Sequence, residues 1–268
     1  MNTSTSIQQQ NIWFSVSIGL MGLILGYSIA TMGGTFGKIA GTGLTPPSVP
    51  AVPNAPNAPA ENLPLAPLPV IDSTADHLIG PANAKATLVV YMDYECPFCK
   101  RHHDTLKQLR VQYKDQVSFA MRHFPLDFHK NAMPEALAAE CVGELGGADA
   151  FWKFSDLIME RTSAGGEGFA LASLPALAKE VGVNEAKFKD CFDAQKYISM
   201  TQEEKQSAYP SEKYFTKIES QQQMAVASGI NGTPGNALID NANDKTELIS
   251  GAQPLTVFQQ KIDAMLAN

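Results

Sequence analysis

Basic charge, cysteine and charge of either sign near the N-terminus are what this 268-residue sequence lacks. Twenty Lys and Arg stand against 27 Asp and Glu, a net charge of -7. A chain without a basic excess has no electrostatic means of holding a phosphate backbone, so a nucleic-acid partner is excluded. The four cysteines, Cys96, Cys99, Cys141 and Cys191, are too few for a small disulfide scaffold. There is no second CxxC to complete a four-thiolate zinc site, and no metal or other cofactor is expected. Charged residues make up only 18% of the chain, while 44% is hydrophobic, enough for a substantial core.

No charged side chain occurs before Lys38. Within that stretch Ile12 to Met32 is uniformly uncharged and largely apolar, and as a helix it would reach about 30 Å, the thickness of a bilayer core. A cleaved signal has a basic start and a shorter apolar segment, so the reading is an uncleaved single-pass anchor. Gly22 and Gly26 have the spacing of a small-residue helix contact. Thr45 to Pro69 holds nine of the 17 prolines and is expected to stay extended. The expected layout is a tail over 1–11, an anchor over 12–33, a Pro/Ala-rich linker over 34–71 and a folded domain over 72–268.

Ala86 to Tyr94 is an apolar, β-branched run and predicts a buried strand. Cys96 to Tyr113 predicts a helix with Leu106, Leu109 and Tyr113 on one face, and Gln116 to Phe124 a second strand. A helical region over about 130–229 follows, ending at Gly229, then short strands at Asn236–Asp240 and Thr246–Ser250. A last helix starts near Pro254, with Leu255, Phe258, Ile262 and Met265 inward. The order is that of an α/β domain with a helical insert.

Cys96-Pro97-Phe98-Cys99 is where the chemistry lies. Directly after a buried strand and at the start of a helix, Cys96 sits where unpaired amides and the helix dipole favour a thiolate, the nucleophile of disulfide exchange. Cys99, one turn in, is placed to attack a mixed disulfide at Cys96. Pro97 suits the first turn. Glu95 would oppose the thiolate if its side chain lay close. A plain turn disulfide or a metal site are the competing readings. His102 and His103 follow on the helix and are expected on a solvated or partly packed face; His123 and His129 are expected in local hydrogen bonds.

Tyr94 to Lys100, Arg122 to Leu126, Gly229 to Gly235 and Ile249 to Pro254 together resemble segments of DsbA-like thiol:disulfide oxidoreductases of the thioredoxin superfamily. The resemblance implies a thioredoxin-like fold with an inserted helical subdomain, and Cys96 and Cys99 as the catalytic pair, flanking Pro97 and Phe98 of the redox motif. It implies that Pro234 is a cis-proline facing that pair and that Thr233 and Pro234 contact substrate peptide. Two features depart from the pattern. Gly235-Asn236 replaces the usual small polar and aromatic pair, and Tyr197 to Glu212 is extra sequence, expected as a surface loop.

Cys141 and Cys191 each lie on an inward face of the insert, and an oxidising compartment favours a structural disulfide between them, as in some members of the family. The expected partners are exported proteins with cysteines and a membrane redox partner, with the domain on the extracytoplasmic, periplasmic side. An oxidant, an isomerase or reductase kept as a dithiol, and a tethered peptide-binding module remain open.

Overall fold

The computed structural model describes residues 71–72, 76–207 and 212–267. The expected anchor and all but the last residue of the linker lie outside these residues. Among the described residues no helix is long and apolar enough to cross a membrane.

Strand β1 (Ala86–Met92) is buried at every position and forms the middle of a four-stranded sheet of order β2-β1-β3-β4. It runs parallel to β2 (Val117–His123) and antiparallel to β3 (Gly235–Asp240), which pairs antiparallel with β4 (Thr246–Ser250). Burial on both faces explains why β1 reads as continuous apolar sequence. Leu88, Val90 and Met92 belong to the larger core, while Val89 and Tyr91 belong to a second cluster with Ala225 and Ile230. The strand stops two residues before the expected Tyr94 because the Asp93 carboxylate accepts the Glu95 amide at 2.7 Å, a local bond that replaces the ladder.

The crossover from β1 to β2 is α1 (Pro97–Gln112), whose Cys99, Leu106 and Leu109 are buried. Between β2 and β3 come α2 (Ala132–Arg161), a 3-10 turn, α3 (Leu174–Glu180), α4 (Glu185–Asp193), α5 (Lys196–Ser199), α6 (Gln202–Ser207) and α7 (Lys213–Ala227). Helix α2 is kinked at Gly147, whose φ of 77° only glycine adopts readily. The domain closes with α8 (Leu255–Leu266), burying Phe258 and Ile262, while Leu255 and Met265 are half-buried.

The extra segment is not the surface loop expected of it. Its described start forms the helical turns α5 and α6, with Tyr197 stacked on Phe215 of α7 (5.3 Å between centroids) and the Lys205 ammonium 4.3 Å above the Tyr197 ring.

The segment leading into β1 is held by buried charge. Arg122 of β2 donates to Asp76 at 2.7 and 2.8 Å, and both side chains are almost fully buried. Next to it, His77 stacks on Phe151 at 3.9 Å and meets Glu140 at 3.0 Å. Glu140 also takes His123 at 3.1 Å and Lys217 at 2.7 Å.

Candidate active site

Cys96 is the N-cap of α1, with extended backbone (φ -78°, ψ 121°), and Pro97 opens the helix. Both motif cysteines are free thiols. As a thiol, Cys96 Sγ donates to the Thr233 carbonyl at 3.5 Å, across the Thr233-Pro234 peptide bond, which is cis. The structure thus brings together residues 137 apart in sequence.

The two cysteines have opposite acidities. The Cys96 pKa is lowered to about 5, first by the hydrogen bond from the Cys99 thiol, then by the Thr233 hydroxyl and the amides of Cys99 and Phe98, all against burial. Cys99 is completely buried, and burial, then the bond to Cys96, push its thiol well up. Thr233 Oγ1 is buried without a partner in the dithiol, yet its hydroxyl acts on both sulfurs.

Phe98 is 55% exposed, with the Arg101 guanidinium 4.9 Å above its ring. Beside Thr233 and Pro234 lies a groove of about 380 Å³, whose walls include Ile230, Leu248, Gly251 and the unusual Gly235-Asn236 pair. Asn236 is buried and donates to the Ile249 and Gly251 carbonyls at 2.9 and 3.1 Å, so it ties β3 to the end of β4.

His102 and His103, expected on a solvated or partly packed face, are both buried on the inner face of α1. Burial lowers His102 to about 4, so the imidazole is neutral, and it lies 5.2 Å from the Phe258 ring. His103 is 3.7 Å from Asp156. His123 and His129 do bond locally, to Glu140 and to Asp93 (2.8 Å). Cys141 and Cys191 are joined by a disulfide with Cα atoms 5.9 Å apart. Pro97 and Phe98 face solvent.

The sequence reading missed where Glu95 goes. Its side chain turns away from Cys96 into the protein and accepts from Gly166, Gly168 and Phe169 amides at 3.0, 2.6 and 2.9 Å and from the Thr162 hydroxyl at 3.2 Å. The visible signal was the glycine-rich Ala164-Gly165-Gly166-Glu167-Gly168, a stretch of the kind whose amides ring an anion.

A sequence family described as Thioredoxin matches residues 72–246. The chain belongs to the thioredoxin family. The solved structure of Pseudomonas aeruginosa DsbA2 is 29% identical, with a TM-score of 0.57, over 71% of this chain and 94% of that one. Oxidised BdbD from Bacillus subtilis shares the fold at 21% identity and a TM-score of 0.58, over 76% and 98% of the two chains. Among curated sequences, the Na(+)/H(+) antiporter NhaA of Herminiimonas arsenicoxydans is 28% identical over 173 residues, 65% of this chain and 24% of that protein. The chain spans 13% and 24% of the length of the first two curated antiporters it matches.

Proposed function

We propose that the protein oxidises cysteine pairs of exported proteins through Cys96 and Cys99, using no cofactor beyond their disulfide. A substrate thiolate attacks Cys96 Sγ, the S–S bond to Cys99 breaks, and Cys99 leaves and takes up a proton. The second substrate thiol, losing its proton to water, attacks the substrate sulfur of the mixed disulfide. A substrate disulfide forms and Cys96 departs as thiolate. One disulfide is made, one is reduced, and two electrons pass to the enzyme.

The observation that carries the direction is the split in acidity. Cys96, at about 5, is a good leaving group in the last step. Cys99, raised by burial, supplies little thiolate for the reverse reaction, in which it would resolve the adduct. The groove beside Thr233 and Pro234 gives the substrate chain backbone to lie against. A membrane redox partner that reoxidises the pair, and anchoring through Ile12 to Met32 with the domain on the periplasmic side, complete the reading.

The test is the reduction potential against glutathione, with transfer of the disulfide to a reduced, unfolded protein. A potential above about -180 mV and fast transfer are expected. A potential below about -250 mV makes it a reductant kept as a dithiol. If Cys96→Ala and Cys99→Ala variants act like the native protein, only the peptide-binding module is left.

A further inference from the structure

Two charged residues bracket the redox motif, Glu95 before it and Lys100 after it, and both reach the same piece of the helical insert. Lys100 Nζ donates to the carbonyls of Met159 and Glu160, each at 3.1 Å, and to that of Thr162. These are the unpaired carbonyls at the C-terminal end of α2. Glu95 takes the amides of the loop that follows. Three of them and the Thr162 hydroxyl converge on its carboxylate, and the Gly165 amide bonds its backbone carbonyl at 2.8 Å. Ala164, Gly165 and Gly166 all have positive φ, which turns successive amides toward one point.

We infer that Glu95 and Lys100 are positioning residues for disulfide exchange: by fastening Thr162–Phe169 from both sides they hold the first turn of α1 in the shape that presents its amides to Cys96. The inference rests on the exchange function proposed above. Glu95 is the residue peptide-bonded to Cys96, and its own amide is fixed by Asp93 at 2.7 Å. Every hydrogen-bond partner of its carboxylate is a donor. Glu135, fully buried on α2, has no hydrogen-bond partner for either carboxyl oxygen, and burial and then the Glu95 charge push its carboxyl up to about 10. Asp93, whose pKa burial raises, is the other acid near this cluster. The groups that set the acidity of Cys96 are instead Cys99, Thr233 and the Phe98 and Cys99 amides. The loop thus takes up the charge of Glu95, and its turned-away side chain keeps that charge off the thiolate.

A positioning role and a charge effect predict opposite signs. Were Glu95 acting on Cys96 through its charge, Glu95→Gln would make the thiol more acidic. As a positioning residue, its loss lets the first turn loosen and the thiol become less acidic. The experiment is a thiolate-absorbance titration of the reduced full chain as wild type, Glu95→Gln and Lys100→Met, with amide hydrogen exchange on each. Glu95→Gln, which sets an NH2 group against amide donors, should raise the Cys96 pKa by about one unit. It should speed exchange at Gly166, Gly168 and Phe169 by about tenfold. Lys100→Met, a milder change at a half-buried site, should raise the pKa by less. A fall in the pKa with Glu95→Gln, no change, or a rise without faster exchange in the loop each overturns the inference. If Glu95→Gln does not fold, Lys100→Met decides through both readouts: a rise with faster exchange in the loop supports positioning, and a rise without faster exchange, no change or a fall defeats it. If the wild-type protein exchanges no disulfides, the proposed function fails, while these titrations still read the role of Glu95.

Discussion

Changing Cys99 to Ser removes the thiol that would release an adduct and leaves the Cys96 nucleophile in place. That variant is expected to accumulate mixed disulfides through Cys96, visible as thiol-sensitive bands on non-reducing gels, while Cys96→Ser forms few. Iodoacetamide at about pH 6 should label Cys96 ahead of Cys99, since one is largely thiolate there and the other sealed and protonated. Faster labelling of Cys99 would reverse the roles. The same acidity makes the dithiol state pH-dependent. Cys96 is an acid whose pKa falls on folding, from 9.0 to about 5, so it stabilises the reduced protein fully above the higher value and ceases to do so as pH drops through the lower. The disulfide form has no such group. Denaturant midpoints should therefore show the reduced form gaining on the oxidised form between about pH 5 and about pH 8, with the gain gone near pH 4. A flat difference would contradict the assigned acidity. At this scale the cysteines were legible because strand, CxxC and helix follow one another in sequence. Glu95 was not, because its direction depends on a loop some 70 residues away.

Strand β2 shows what a single element owes to its neighbours. Arg122 was noticed only as part of a resemblance, yet it is buried at 2% exposure and lies against Asp76 in the segment before β1. Removing the carboxylate with Asp76→Ala strands a buried guanidinium, which costs roughly 3–5 kcal/mol. Urea unfolding should show a lower midpoint with an unchanged slope, and a loss under about 1 kcal/mol would mean water reaches Arg122. Sequence located the elements well where one face or both were apolar, as in β1, α1 and α8. It failed where short polar pieces find partners elsewhere. Tyr197 and Lys205 sit in a segment with no amphipathic period, whose helical turns are held by the stack on Phe215 and by Glu212 and Glu204 carboxylates accepting the Lys196 and Thr201 amides. His102 and His103 could pass for a solvated or partly packed face as polar residues on a helix, but at that turn Arg101 and Asp104 take the outer face and the two imidazoles point inward, toward Phe258 and Asp156.

Across the whole molecule, the Cys141–Cys191 disulfide ties α2 to α4 within the insert. It closes a separation of 50 residues, for which chain entropy gives a stabilisation of about 4 kcal/mol. The double variant Cys141→Ala/Cys191→Ala should lose about that much in denaturant while the Cys96 titration stays in place, since the bond lies outside the redox motif. A shifted titration would mean that the insert reports to the active site. The fold class was legible because element order alone distinguishes an α/β domain with a helical insert. The pairing of Thr233 with Cys96 could be taken only from resemblance, because nothing local joins them. That pairing has a consequence in time. β1 and α1 are made early, but the strand that completes the far side of β1 begins at Gly235, after the entire insert. While the chain emerges N-terminus first, Cys96 has no carbonyl or hydroxyl of Thr233 opposite it, and the sheet has an open side. The reactive sulfur reaches its mature acidity only when the last part of the domain arrives, so a partly made chain carries Cys96 with its chemistry still incomplete.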